Sequence, residues 1–194
     1  MKDDASALDA ARSWFAGVDI YLLDLVLRGR LRPPGRVLDA GCGAGRNLSP
    51  FLRAGFEVHA FDADEGAVRK ARAHAARLVP GFPAERVRVA SIEDLAPTRD
   101  FDLVIGLAVL HFARDPAHFD ALLRRLWDAV APGGLLFLRL AVRTGVEDVL
   151  VPLGGGRFRQ GDGDERFVSD VADLRAHTEA LGATLAEPLK TVVV

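Results

Sequence analysis

Short apolar runs alternate with amphipathic segments through the middle of this chain, and the two patterns predict different elements. Five runs rich in valine, leucine, isoleucine and phenylalanine are typical of buried strands, and they lie near residues 36–40, 57–62, 87–90, 101–107 and 135–140. Segments 48–54, 65–78 and 115–130 separate the runs and have helical character. This alternation predicts an α/β fold, a doubly wound, mostly parallel sheet in three αβα layers.

The helix predicted over Asp115–Val130 has the clearest amphipathic pattern. Its apolar side chains recur at helical spacing on one face, as Phe119, Leu122, Leu123 and Leu126. For the helix over 48–54, we expect Asn47 to be the N-cap.

The segments outside residues 36–140 have their own patterns. Residues 1–32 predict a helical cap made of Ala5–Phe15 and Asp19–Gly29. The glycine-rich segment 143–166 predicts a mobile loop. For residues 169–194 we expect a helix followed by an edge strand, which is either one long strand or two short strands bent at Pro188. We expect residues 1–194 to form a single domain.

Composition narrows the classes of function. The 194 residues are 49% hydrophobic and 27% charged with a net charge of −2, a balance that argues against binding to nucleic acid or an anionic membrane. One cysteine excludes an internal disulfide or a multi-cysteine metal site, and we predict no metal. Without a membrane-length apolar run or a signal-peptide core, the sequence predicts a cytoplasmic protein, monomeric or homodimeric.

A glycine-rich turn follows the first predicted strand. Asp39 precedes Gly41, Gly43 and Gly45, which gives the pattern D-x-G-x-G-x-G. Three missing side chains allow a tight turn and the close approach of a ligand to the main chain. The spacing matches neither the dinucleotide fingerprint G-x-G-x-x-G nor a phosphate-binding loop that requires G-K-[ST].

An acidic residue ends the second predicted strand. Asp62 lies 21 residues beyond Gly41, near the spacing at which an acid binds the ribose hydroxyls in nucleotide-binding βαβ units. Alternatively, Asp62 or Asp64 only caps the helix that begins at Glu65. Asp64 fits the capping position better, which leaves Asp62 for a ligand.

Four motifs in order over residues 36–140 resemble class I S-adenosylmethionine-dependent methyltransferases. They are the glycine turn, the acid at Asp62, the sequence F-D-L-V-x-x-x-x-V-L-H over 101–111, and A-P-G-G over 131–134. Within that family the chain is most similar to small soluble enzymes of the tellurite-resistance or small-molecule type. The resemblance implies S-adenosyl-L-methionine as cofactor, S-adenosyl-L-homocysteine as product and a small-molecule methyl acceptor.

The resemblance also implies the residues of the site. Cofactor contacts are expected from Asp39, Ala40, Gly41, Cys42, Gly43, Asn47, Asp62, Ala63, Ser91, Ile92, Gly106 and Leu107. Ser91 departs from the family, which usually has an acid there. A neutral hydroxyl would hold the adenine amine more weakly than a carboxylate.

Other candidates lie where the acceptor would bind. His111 is either a general base at the rim or a structural histidine. Trp14 and Tyr21 face the acceptor or belong to the core, and Arg139 meets an acidic acceptor or forms a salt bridge.

Methyl transfer from a sulfonium needs little more than in-line positioning of the acceptor, so a missing obvious base is no objection. Two alternatives stay open at this point. The chain could be an inactive cofactor-binding or regulatory protein of the same fold, or a nicotinamide-dependent oxidoreductase, although the glycine spacing disfavours the latter.

Overall fold

The computed structural model describes residues 9, 12 and 16–192. Its centre is a five-stranded parallel sheet in the order β3-β2-β1-β4-β5. The strands are β1 Arg36–Ala40, β2 Glu57–Asp62, β3 Val87–Val89, β4 Phe101–Leu107 and β5 Val130–Arg139. The predicted α/β fold with a doubly wound parallel sheet is therefore confirmed.

Five α-helices lie among the described residues. They are α1 Ile20–Leu27, α2 Ser49–Arg53, α3 Glu65–Leu78, α4 Pro116–Asp128 and α5 Val171–Ala180. In this part of the chain, no helix has both the length and the apolar character needed to cross a membrane.

Alternate residues of the strands point to opposite faces of the sheet and bury two separate cores. On one face, Leu38 and Val104 pack with the apolar side of α4, including the predicted Phe119 and Leu126. On the other face, a second cluster contains Val37, Leu22 of α1, Leu48, Phe51 of α2, and Val68 and Ala71 of α3. Apolar side chains on both faces are what a central parallel strand requires, and they produce the three layers.

Helix starts follow the predicted caps with one exception. Asp64 caps α3, since its carboxylate accepts hydrogen bonds from the backbone N–H groups of Gly66 and Ala67. Asn47 does not cap α2, which begins after Leu48 without any side-chain cap. The Asn47 side chain is instead used in a long-range contact, because its Oδ1 accepts from the backbone N–H of Asp19 at 3.0 Å.

Strand β5 begins earlier than its apolar run predicts. Val130 pairs with Phe101 and Leu135 pairs with Leu103, so the intervening Pro-Gly-Gly segment forms an irregularity within the strand. Helix α4 consequently ends at Asp128.

The segment predicted to be a mobile loop, 143–166, contains a second sheet. Strands β6 Val151–Gly154, β7 Arg157–Arg159 and β8 Glu165–Phe167 pair antiparallel in that order. The three glycines at 154–156 all have positive φ; Gly154 ends β6, and Gly155 and Gly156 form the hairpin turn to β7. Phe167 attaches this sheet to the core by stacking on Phe119 with ring centroids 4.9 Å apart.

Of the two elements predicted over 169–194, the helix is present as α5, but the edge strand is absent from the described residues, because 184–192 contain no strand. This segment lies along α1 and is held by ion pairs, Glu187 with Arg30 at 2.6 Å and Lys190 with Asp24 at 3.2 Å. Residues 193–194 and most of the predicted helix Ala5–Phe15 lie outside the described residues.

We expect Phe167→Ala to destabilise the protein by about 3 kcal/mol, the usual cost of truncating a buried phenylalanine. Phe167 is only 7% exposed. Phe112→Ala is the matched control, since Phe112 is 71% exposed and its loss should change stability by less than about 0.5 kcal/mol. Urea unfolding of both variants measures the difference, and equal losses would contradict the packing role of Phe167.

Candidate functional site

The glycine loop between β1 and α2 lies at the carboxyl edge of the sheet. A Cβ on Gly41 would lie 2.2 Å from Cγ1 of Val109, so the loop passes directly beneath that side chain. A Cβ on Gly43, which also has positive φ, would meet nothing within 4 Å. Gly41 is thus required by packing, whereas the backbone at Gly43 faces open space that a ligand can enter.

Asp62 holds this loop in place. Its carboxylate accepts hydrogen bonds from the backbone N–H groups of Gly43 at 2.8 Å and Asp64 at 2.9 Å. The N–H groups of Gly41 and Cys42 also donate to the carbonyl of Phe61 at the end of β2. The end of β2 therefore determines the path of the glycine loop.

Asp39 is a buried carboxyl group, 1% exposed, at the end of β1. Its Oδ2 has no hydrogen-bond partner among the described residues. Burial raises the pKa of Asp39 to about 7, and the charge of Asp62 adds to the rise while Arg46 opposes it. A buried acid with a free oxygen is costly, and a cationic group would relieve that cost.

The turn after β3 contains the two residues predicted to bind adenine. Ser91 donates from its hydroxyl to Oδ2 of Asp94 at 2.9 Å, and Ile92 is buried. The Ser91 oxygen retains its capacity to accept. Our sequence reasoning missed Asp94, although S-x-x-D before an apolar residue is a capping-box signal.

At the end of β4, packing explains the glycine. A Cβ on Gly106 would lie 2.9 Å from Cδ2 of Leu138 and 3.1 Å from Cδ1 of Leu126. Beyond the buried Leu107, Ala108 adopts a left-handed conformation with φ of 58°. That turn is followed by Val109, which lies over the glycine loop at Gly41.

His111 lies in a 3₁₀ turn, Leu110–Phe112, after β4. Burial lowers its pKa, and the charge of Arg166 contributes in the same direction while Asp164 opposes it. The imidazole is therefore neutral at pH 7 and able to accept a proton. Its ring lies edge-on to that of Phe112 with centroids 4.5 Å apart, and no hydrogen bond joins it to another residue in the described part of the chain.

The three residues predicted to contact the acceptor differ in their surroundings. Tyr21 is half-buried, with Nζ of Lys190 5.7 Å from its ring centroid. Arg139 donates from Nη1 to Oδ2 of Asp19 at 2.8 Å, so the salt-bridge alternative is the one observed. Trp14 lies outside the described residues.

Asp19 is the main residue that the sequence analysis missed. Its side chain is 1% exposed and caps α1 by accepting from the N–H groups of Tyr21 and Leu22. The capping position was visible in the sequence, but the partner Arg139 is 120 residues away and carries no local signal.

A cavity of about 460 Å³ lies beyond the carboxyl end of β5, within the usual size range of ligand pockets. Its lining is Arg143, Thr144, Glu147, Leu150, Pro152, Phe158 and Asp170. None of these is a predicted cofactor contact, and Arg143 is paired with Asp170.

Comparisons with known proteins agree with this geometry. A family model described as a methyltransferase domain matches residues 37–134. A ubiquinone biosynthesis O-methyltransferase of Xanthomonas campestris is 34% identical over 134 residues, covering 68% of this chain and 54% of that protein. One from a Caulobacter species is 36% identical over 111 residues, covering 56% and 42%. The chain thus spans about half the length of the curated relatives that it matches.

Solved structures show the same fold. The 1,6-didemethyltoxoflavin-N1-methyltransferase of Burkholderia thailandensis, solved with S-adenosylhomocysteine, has a TM-score of 0.63 and 23% identity, over 93% of this chain and 74% of that one. The magnesium protoporphyrin IX methyltransferase of Synechocystis, solved with bound SAM, has a TM-score of 0.62 and 23% identity, over 86% and 67%.

We expect Asp39→Asn to stabilise the ligand-free protein increasingly as pH rises. The folded-state pKa of Asp39, about 7, exceeds the unfolded value of about 3.9, so the folded state binds the proton more tightly. Ionisation then costs stability progressively between about pH 4 and pH 7. The advantage of the variant should grow over that range by roughly 1–4 kcal/mol and stay constant above it. Urea unfolding at pH 5 and pH 8 measures this, and an equal difference at both would contradict it.

Proposed function

The chain belongs to the methyltransferase domain family, and from that premise we propose that it transfers a methyl group from S-adenosylmethionine to a small-molecule acceptor. The observation that carries the proposal is the juxtaposition of Asp62, Gly43 and Asp39 at the carboxyl edge of the sheet. Strand order reverses between β1 and β4, and open α/β sheets bind ligands at such a point.

The residues at this edge fit the cofactor. Gly43 leaves open space along the backbone, Asp62 retains acceptor capacity toward ribose hydroxyls, and the free Oδ2 of Asp39 favours a cationic group. The remaining predicted contacts complete the proposed site: Ala40, Gly41, Cys42, Asn47, Ala63, Ser91, Ile92, Gly106 and Leu107. When bound, S-adenosylmethionine would supply a methyl group bonded to a positively charged sulfur, and attack of a nucleophile on the methyl carbon would release that sulfur as the neutral thioether of S-adenosylhomocysteine.

The protein's own contribution in this proposal is mainly geometric. Holding the acceptor in line and close to the methyl group can lower the barrier by up to about 7–11 kcal/mol. His111 is the candidate to accept a proton at a ring nitrogen when the acceptor binds in its protonated form. Its lowered pKa keeps it in the basic form at pH 7.

The similar proteins support a small-molecule acceptor, but they differ in the type of atom that is methylated. The names of the similar proteins include an O-methyltransferase and an N1-methyltransferase. We propose the acceptor class only, with Tyr21 at its entrance. The cytoplasmic location, the monomeric or homodimeric state and the single-domain organisation stay predictions from the sequence.

The remaining alternative is a protein of the same fold that binds the cofactor but has no activity. Formation of the methylated product distinguishes an active methyltransferase from such a protein. The family assignment disfavours a nicotinamide-dependent oxidoreductase.

Calorimetric titration with S-adenosylmethionine and S-adenosylhomocysteine tests the cofactor site. We expect micromolar binding, weakened at least tenfold in Asp62→Asn, because each hydrogen bond to a charged acceptor contributes about 1.5–3 kcal/mol. Asp64→Asn is the matched control, since Asp64 lies two residues away and asparagine also caps helices well. No binding by the unaltered protein would overturn the proposal.

His111→Gln tests the proposed base once an acceptor has been found by screening. The wild-type rate should decrease at acidic pH as His111 becomes protonated, below the usual pKa of about 6.5. In the variant, kcat should be lower and that acidic decrease should vanish. An unchanged pH profile would show that His111 is structural.

A further inference from the structure

An ion pair joins helix α1 to the end of the edge strand β5, and its carboxylate, Asp19, is buried whereas its guanidinium, Arg139, is 41% exposed. Oδ1 of Asp19 accepts from the N–H groups of Tyr21 and Leu22, at 3.0 and 3.2 Å. Its Oδ2 accepts from Nη1 of Arg139 at 2.8 Å. Both oxygens of this carboxylate are therefore partnered, and Arg139 neutralises a charge that has almost no contact with solvent.

The backbone groups of both ion-pair residues, Asp19 and Arg139, are hydrogen-bonded to segments of the proposed cofactor site. The N–H of Asp19 donates to Oδ1 of the buried Asn47, which ends the glycine loop. The carbonyl of Arg139 accepts from the N–H of Ala108 at 3.0 Å. Val109, the next residue, covers Gly41 at the start of the same loop.

These contacts form a closed ring of interactions, called the circuit below, that begins and ends at the glycine loop. Val109 packs on Gly41, and the neighbouring Ala108 is hydrogen-bonded to Arg139. Arg139 pairs with Asp19, and Asp19 is hydrogen-bonded to Asn47 at the other end of the loop. Both ends of the glycine loop are held by it. The ion pair is the step with the largest sequence separation, 120 residues.

We propose that the Asp19–Arg139 ion pair is a latch that positions the glycine loop and helix α1 for cofactor binding. In this role Arg139 is a positioning residue and not a contact of the acceptor. Removing the guanidinium leaves a buried carboxylate without its charged partner, a costly state that movement of α1 away from the loop would relieve. The effect on cofactor affinity rests on the proposed function, whereas the coupling of the segments does not.

Arg139→Met tests the coupling without any ligand. Amide hydrogen exchange of residues 19–27 and 41–48 should accelerate at least tenfold, while α3 changes much less. Arg36→Met is the matched control, because Arg36 is 37% exposed against 41% for Arg139. It pairs with Glu57 and Asp100 at the amino ends of the strands, away from the glycine loop. Wild-type exchange rates in both segments of Arg139→Met, or equal acceleration throughout the chain, would overturn the latch.

Cofactor affinity provides the second readout. The dissociation constant for S-adenosylhomocysteine should increase at least tenfold in Arg139→Met and less than twofold in Arg36→Met, with partial rescue in Arg139→Lys. Asp19→Asn keeps an N-cap but removes the charge, so it should reproduce the loss. The double variant should bind no more weakly than Arg139→Met alone. Equal affinities in Arg139→Met and Arg36→Met would contradict the positioning role.

The two measurements separate the latch from the proposed function. If the wild-type protein binds no S-adenosylhomocysteine but exchange in Arg139→Met accelerates only in the two segments, the proposed function fails and the latch stands. If the wild type binds and neither affinity nor exchange changes in Arg139→Met, the latch fails and the proposed function stands.

Discussion

The hydrogen bond from the backbone of Gly43 to the carboxylate of Asp62 is the contact on which the rest of the site depends. It joins the end of β2 to the middle of the glycine loop over 2.8 Å. A loop with so few side chains has a large conformational entropy, and a charged acceptor is among the strongest ways to restrain it. The same carboxylate is the one proposed to bind ribose, so one group both shapes the loop and meets the ligand.

Electrostatics at this edge follow from the same arrangement. Burial raises the pKa of Asp39, and the nearby charge of Asp62 adds to the rise. One oxygen of the buried Asp39 has no hydrogen-bond partner among the described residues. The carboxylate of Asp62, together with a second carboxyl group that a nearby cation would ionise, disfavours phosphate groups and favours a cation. This charge is consistent with a sulfonium cofactor, and it distinguishes the site from loops that bind pyrophosphate at a helix N-terminus.

The latch and the second sheet cover this edge by different means. Asp19 and Arg139 hold helix α1 through an ion pair whose carboxylate is buried, whereas β8 is attached by apolar stacking of Phe167 on Phe119. The ion pair is part of the series of contacts that reaches the glycine loop, whereas the stacked rings join β8 to α4. The position of helix α1 is therefore coupled to the glycine loop more directly than that of β8.

The sequence by itself determined the five parallel strands, the apolar face of α4 and the capping of α3 by Asp64, because periodicity and capping are local properties of the chain. The glycine spacing and the acid at position 62 likewise located the loop and its neighbour. Only the tertiary structure decided the roles of Asn47, Asp19 and Arg139, since their partners lie 28 or 120 residues away. For the same reason, the glycines at 154–156 suggested a loop, and the pairing of β6 with β7 made them a hairpin turn.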